Sequence, residues 1–151
     1  MIYLRYAWSV LVHKWYVLVA GQLLGVGLWQ LLIHDLSKFS PAEFGPFARR
    51  FGRGTAGALN HATEPKEWRD AFEHHWTHNP HHWEYWAGGD GSFLTPMPTQ
   101  YLREMVADWR GASRAYTGSW DIRAWYAQNR ERIQLHPETR AIVERHIETG
   151  L

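Results

Sequence analysis

The chain has no cysteine among its 151 residues. Disulfides, zinc–thiolate sites and thiol catalysis are therefore excluded, and any metal site must be built from histidine, aspartate, glutamate and water. A charge bias is missing too: sixteen Lys and Arg stand against fifteen Asp and Glu, a net +1. That balance offers no broad electrostatic footprint for a nucleic-acid duplex. There is no strand-like alternation and no internal repeat. Residues 15–33 come close to the length of a membrane span. Gly21, Gly25 and Gly27 break that run, Gln22 and Gln30 interrupt it, and His34-Asp35 ends it. It reads as two buried helices joined by a glycine-rich turn, with no membrane association. No signal-peptide pattern is recognised, so a cytoplasmic protein is expected.

Apolar residues make up 45% of the chain, which is enough for one domain with a real core, taken here as residues 1–151. Ten tryptophans are present. They supply large apolar faces, and any left outside would make a homodimer face. Ten histidines accompany them, five of these within residues 74–82.

The segment Ile33-His34-Asp35-Leu36-Ser37-Lys38 is the first anomaly. It puts an imidazole and a carboxylate, both divalent-metal ligands, at the end of an apolar run where burying charge is costly. An ordinary exposed helix end is the alternative. Lys38 could hold a phosphate as a point charge or simply neutralise Asp35. A helix over residues 3–20 places Tyr6, Val10, His13, Val17 and Ala20 on one face, with His13 in mid-stripe. Taken alone, His13 suits a core histidine as well as a ligand. A second helix, 26–36, groups Leu28, Leu31, Leu32 and Asp35 on one side.

Ser40-Pro41-Ala42-Glu43 has the form of a capping box that starts a helix to about residue 50. Residues 51–61 read as a glycine-rich surface loop. Arg49, Arg50 and Arg53 around it are a solvated face or a contact for an anionic substrate. Thr63 caps the next helix, which runs to about His78, and Asn79-Pro80 restarts a helix at His81. His74, His75, His78, His81 and His82 thus crowd one corner among tryptophans, where some of them are expected to bind metal. The helix 99–116 carries an inner stripe of Tyr101, Met105, Asp108, Ala112 and Ala115, so Asp108 is a second carboxylate on an apolar face. Arg103, Glu104, Arg110 and Arg114 take its outer faces. Two C-terminal helices lie within 119–150. The expectation is an all-α, single-domain helical bundle with a metal site in its core.

The order His13, His34-Asp35, a histidine cluster, then Asp108 resembles the HD-domain superfamily over about residues 10–112. His34-Asp35-Leu36-Ser37-Lys38 resembles the His-Asp-x-x-Lys of its cyclic-dinucleotide-cleaving branch, and Ala107-Asp108 its closing Ala-Asp. The chain as a whole looks most like a small uncharacterised HD-like family of bacteria and phages. The resemblance implies that His13, His34, Asp35 and Asp108 bind a first divalent metal (Mn, Fe, Ni, Co or Zn). It further implies that Asp35 bridges to a second ion held by His75 and one of His81 or His82, His82 being favoured; neighbours on a helix diverge by about 100°, so the two are not expected on the same ion.

The activity implied is phosphohydrolysis of a small phosphate ester or nucleotide through a metal-bound hydroxide. Lys38 would neutralise phosphoryl oxygens, and His81 or Glu84 would protonate the leaving group. The alternative is a diiron oxygenase acting on a small substrate with O₂. A third reading is a non-catalytic module stabilised by metal.

Overall fold

A computed structural model describes residues 1–52, 64–88 and 94–150. The described residues are helical, with no strand among them: α1 (Ile2–Leu23), α2 (Leu28–Ile33), a 3₁₀ turn (Leu36–Phe39), α3 (Phe44–Phe51), α4 (Lys66–His78), α5 (Trp83–Trp86), α6 (Thr99–Thr117), α7 (Arg123–Asn129) and α8 (Pro137–Thr149). No helix among them is long and apolar enough to cross a membrane.

The α1–α6 pair is the spine. Its close approach depends on Gly111, where an added Cβ would lie 2.6 Å from Val17 Cγ2 and 2.8 Å from the Val17 backbone nitrogen. A residue with a side chain there would force the helices apart. Two apolar clusters flank the spine. One joins the C-terminal half of α1 to α6, α7 and α8 through Val17, Ala20, Leu102, Val106, Tyr126 and Val143. The other joins the N-terminal half of α1 to α3 and α4 through Tyr6, Val10, Phe47, Trp68 and Ala71. His13 lies on α1 between Val10 of one cluster and Val17 of the other, so the polar site sits where the two cores meet.

The buried stripe of α1 is as expected: Tyr6, Val10, His13, Val17 and Ala20. Four local expectations are corrected. First, α2 is not a buried helix: it buries Leu31 alone, against Gly21, while Leu28 and Leu32 face outward. It also ends at Ile33, so Asp35 is buried by a backbone turn and not by a helix face. Second, residues 40–43 form a turn closed onto the Ser40 carbonyl, and α3 begins only at Phe44. Glu43 is therefore not part of a capping box. Third, α5 starts at Trp83, leaving His81 and His82 in a turn. Fourth, Glu104 faces inward and is buried. Thr63, Arg53 and most of the expected 51–61 loop lie outside the described residues.

Candidate metal centre

Asp35 is the centre of the site. It is fully buried and has φ of +57°, the one positive φ at a non-glycine residue among those described. Aspartate tolerates this left-handed conformation better than most residues, though at some cost. The turn stops α2 and drives the carboxylate inward between α1, α4 and α6.

Its two oxygens face different partners. Oδ2 lies 3.4 Å from His13 Nε2, 3.3 Å from His34 Nε2 and 2.5 Å from Lys38 Nζ. Asp108 closes this side, its Oδ1 being 2.9 Å from His13 Nε2 and 3.4 Å from His34 Nε2. Oδ1 lies 3.4 Å from His75 Nε2 and 3.5 Å from His81 Nε2. His82 stands beside them, its ring centroid 4.7 Å from that of His75 and 4.6 Å from that of His81. Two convergent groups form around Asp35, each within the span of one ion: His13, His34, Asp35 and Asp108, and then Asp35, His75, His81 and His82; a third, of His34, His81 and Glu104, lies beside them without Asp35. Asp35 belongs to both.

Two further carboxylates orient the imidazoles. Glu104 Oε1 accepts from His34 Nδ1 at 2.9 Å and lies 3.4 Å from His81 Nδ1. Its other oxygen accepts from Gln30 Nε2. Glu43 Oε2 accepts from His75 Nδ1 at 2.8 Å and from Ser37 Oγ at 3.1 Å. Asn79 Nδ2 donates to Ser37 Oγ and to the His75 carbonyl, which ties the α4 terminus to the 3₁₀ turn. With its Nδ1 hydrogen directed at Glu43, neutral His75 presents Nε2 as a lone pair toward Asp35, and His34 and His81 do the same from the Glu104 side whenever their Nε2 carries no proton.

These facing atoms test whether a cation fits. His13 Nε2, His34 Nε2, His81 Nε2 and both Asp35 oxygens are buried with no hydrogen-bond partner among the described residues. The 2.9 Å approach of His13 to Asp108 lacks hydrogen-bond alignment and counts only as an ion-pair distance. Lone pairs of nitrogen and carboxylate oxygen repel at 3.3–3.5 Å unless a proton or a cation lies between them. A divalent cation with N and O ligands satisfies all of these atoms at once, and carboxylate-oriented histidines are the usual outer shell of such sites.

The electrostatics agree. Burial favours protonation of Asp35, but His34, Lys38 and His75 outweigh it and hold the carboxyl well below its usual range. Asp108 is likewise held well below, where the facing His13 and His34 imidazoles overcome burial. Burial lowers His34, yet Asp35, Asp108 and Glu104 pull it well above an ordinary histidine. The field therefore calls for positive charge at the His34 Nε2 position. His75 is lowered to about 4 by burial, in spite of Asp35 and Glu43, and so remains neutral and able to ligate. Burial would lower Lys38, but Asp35 and Asp108 raise it, and its ammonium persists.

A cavity beside Asp35 is lined by His13, Lys38, His75 and His82, with Tyr6, Phe47, Phe51, Trp68, Phe72 and Tyr116 as its aromatic wall. Burial and the neighbouring acids outweigh Lys38 and raise the Tyr6 hydroxyl above its ordinary range, keeping it a donor. Glu84 is buried, with Oε2 3.5 Å from His82 Nδ1.

Of the expected site residues, His13, His34, Asp35, His75, His82 and Asp108 all converge, and Lys38 touches Asp35. His81 joins the second group together with His82, because both lie in a turn where helical divergence does not apply. His74 and His78 stack on each other and belong to neither group; His74 instead bonds Glu43 Oε1. Arg49 and Arg50 pair with Glu67 and Glu64. Glu104 and Glu43 were missed by sequence reasoning, although Glu104 stands one helical turn before Asp108 and so shares its face.

No curated protein matches the chain, and no solved structure does. Residues 3–149 match the "Family of unknown function (DUF5662)", and the chain belongs to that family.

Proposed function

We propose that this protein is a metal-dependent phosphohydrolase whose centre takes two divalent cations bridged by Asp35. The observation that carries this reading is the division of Asp35: each unsatisfied oxygen faces its own set of Nε2 atoms. The resemblance of the ligand order to the HD-domain superfamily supports it. His13, His34 and Asp108 would hold one ion, while His75 and His81 would hold the other. Such ions polarise phosphoryl oxygens and make bound water acidic near neutral pH.

The protein's own groups supply the rest. Lys38 reaches the cavity from Asp35 and offers its charge to a phosphoryl oxygen. Tyr6 offers a hydroxyl donor from the same wall. His82 lines the cavity, whereas His81 is buried behind it against Glu104. The proposed roles are therefore exchanged relative to the sequence reading: His81 is a ligand, and His82, backed by Glu84, is the acid. In the net reaction, a water oxygen bonds to phosphorus and loses a proton to solvent, the P–O bond to the alcohol breaks, the departing oxygen takes a proton from His82, and solvent returns a proton to His82.

The test is metal analysis of protein purified without added metal, followed by assay against a panel of phosphomonoesters and nucleotides. Manganese, cobalt, nickel or zinc with phosphate release is the expected result. Two irons per chain, with an absorption change under O₂ and no phosphate release, would establish the oxygenase reading instead.

A further inference from the structure

The least expected feature lies on the opposite side of α1 from the metal centre. Leu4, Trp8, Leu11 and Trp15 follow the 4-3-4 spacing of a coiled-coil seam. At 100° per residue this seam points roughly 160° away from the stripe that carries His13. The seam is bare: Trp8 is 69% exposed and Trp15 62%. The helix α2 lies on its flank, fastened by Leu31 on Gly21 and by Lys14 Nζ on the carbonyls of Leu32 and His34. From there Leu28, Leu32 and Trp29, the last 73% exposed, extend the apolar surface.

We propose that this α1–α2 face is the two-fold interface of a homodimer of this chain. Size is the first argument. At roughly 200 Å² per aromatic side chain, the three tryptophans alone offer about 400 Å², which already matches the largest apolar patch of an ordinary monomer, about 300–600 Å². The leucines bring the face to the order of 800 Å², the area each partner buries in a standard interface.

Composition is the second argument. A two-fold interface sets a patch against itself, so it must carry no charge that repels its copy. No carboxylate occurs in α1 or α2. Lys14 is turned onto backbone carbonyls and Lys38 onto Asp35. A bilayer surface would be recognised instead by a cluster of about 4–8 basic groups. With Lys14 and Lys38 engaged inward, Arg5 is all that residues 1–39 contribute to such a cluster. Dimerisation would also cover α2, which buries only Leu31 in its own chain and leads directly into His34 and Asp35.

Two experiments on the full chain test the proposal. Analytical ultracentrifugation at micromolar concentration should give twice the 17.7 kDa chain mass. The double variant Trp8→Glu/Trp15→Glu should sediment as a monomer with unchanged helical circular dichroism, because both side chains are exposed. Should that variant misfold, cross-linking decides. The chain has no cysteine, so single variants Trp8→Cys and Leu11→Cys should give covalent dimers under mild oxidation, and Glu131→Cys, far out on the surface, should not. A wild-type monomer, with or without flotation on phosphatidylcholine–phosphatidylglycerol vesicles, would overturn the proposal. So would a dimer that survives the double variant, or cross-linking no stronger at the seam than at residue 131.

Discussion

The two halves of the candidate metal centre are held in different ways. His13 and Asp108 stand on α1 and α6, long helices packed so closely that Gly111 is needed between them. His75, His81 and His82 stand on the last turn of α4 and the turn after it, and carboxylates do the positioning: Glu43 accepts a hydrogen bond from His75, and Glu104 faces His81 at 3.4 Å. His13 and Asp108 of the first half are placed by apolar packing, which tolerates little displacement because cores are dense, while its His34 is held by Glu104. The second is placed by polar contacts that reach across the chain, from residue 43 to 75 and from 81 to 104. Asp35 couples the halves, and its left-handed backbone lets one carboxylate face both.

The largest expected effect comes from removing the element the halves share. Asp35→Asn keeps the shape but halves the available ligand oxygens and removes the charge. Isothermal titration with manganese should show both binding events lost, with helical circular dichroism retained. If one full equivalent still binds tightly, Asp35 is not the bridge.

Breaking one half alone comes next. Gly111→Val inserts a side chain where a Cβ already meets Val17 at 2.6 Å. Overpacking of this kind costs about 1–3 kcal/mol, to be read from urea denaturation. Because α1 and α6 separate, the event assigned to His13, His34 and Asp108 should weaken more than the other. Equal weakening of both would mean that the halves are not held independently.

The smallest effect sharpens the same contrast from the polar side. Glu43→Gln keeps an acceptor on His75 but removes its charge. Outer-shell changes of this type cost about 10–100-fold in metal affinity, here confined to the second event. Urea stability should change far less than in the Gly111 variant.

Part of the first half is legible in the sequence: helix periodicity puts His13 on a stripe that is buried as expected, whereas of the stripe expected around Asp108 only Met105 is among the buried residues of α6. The stripe reading was still imperfect: it set Glu104 outside although Glu104 and Asp108 are four residues apart, a spacing that shares one face. The second half was legible only as a neighbourhood. Asn79-Pro80 has the form of a helix restart, yet His81 and His82 lie in a turn, and Ser40-Pro41-Ala42-Glu43 has the form of a helix cap that does not form. Cap and turn signals are local, and here a buried demand from His74 and His75 overrides them. The exposed seam of α1 shows the converse: its apolar content was plain, but a helix apolar on two faces gives no sign of which face is covered.

By itself, then, the sequence determined the all-helical class, the exclusion of thiol chemistry, and the ligand types available to a cation, because composition and period act residue by residue. Only the tertiary structure decided which carboxylates orient which imidazoles, that both oxygens of Asp35 are shared between two histidine sets, and that Trp8, Trp15 and Trp29 lie bare. Those outcomes depend on where α1, α4 and α6 meet. That meeting is set by packing volume at positions such as Gly111 and by one left-handed turn at Asp35, neither of which leaves a periodic trace in the chain.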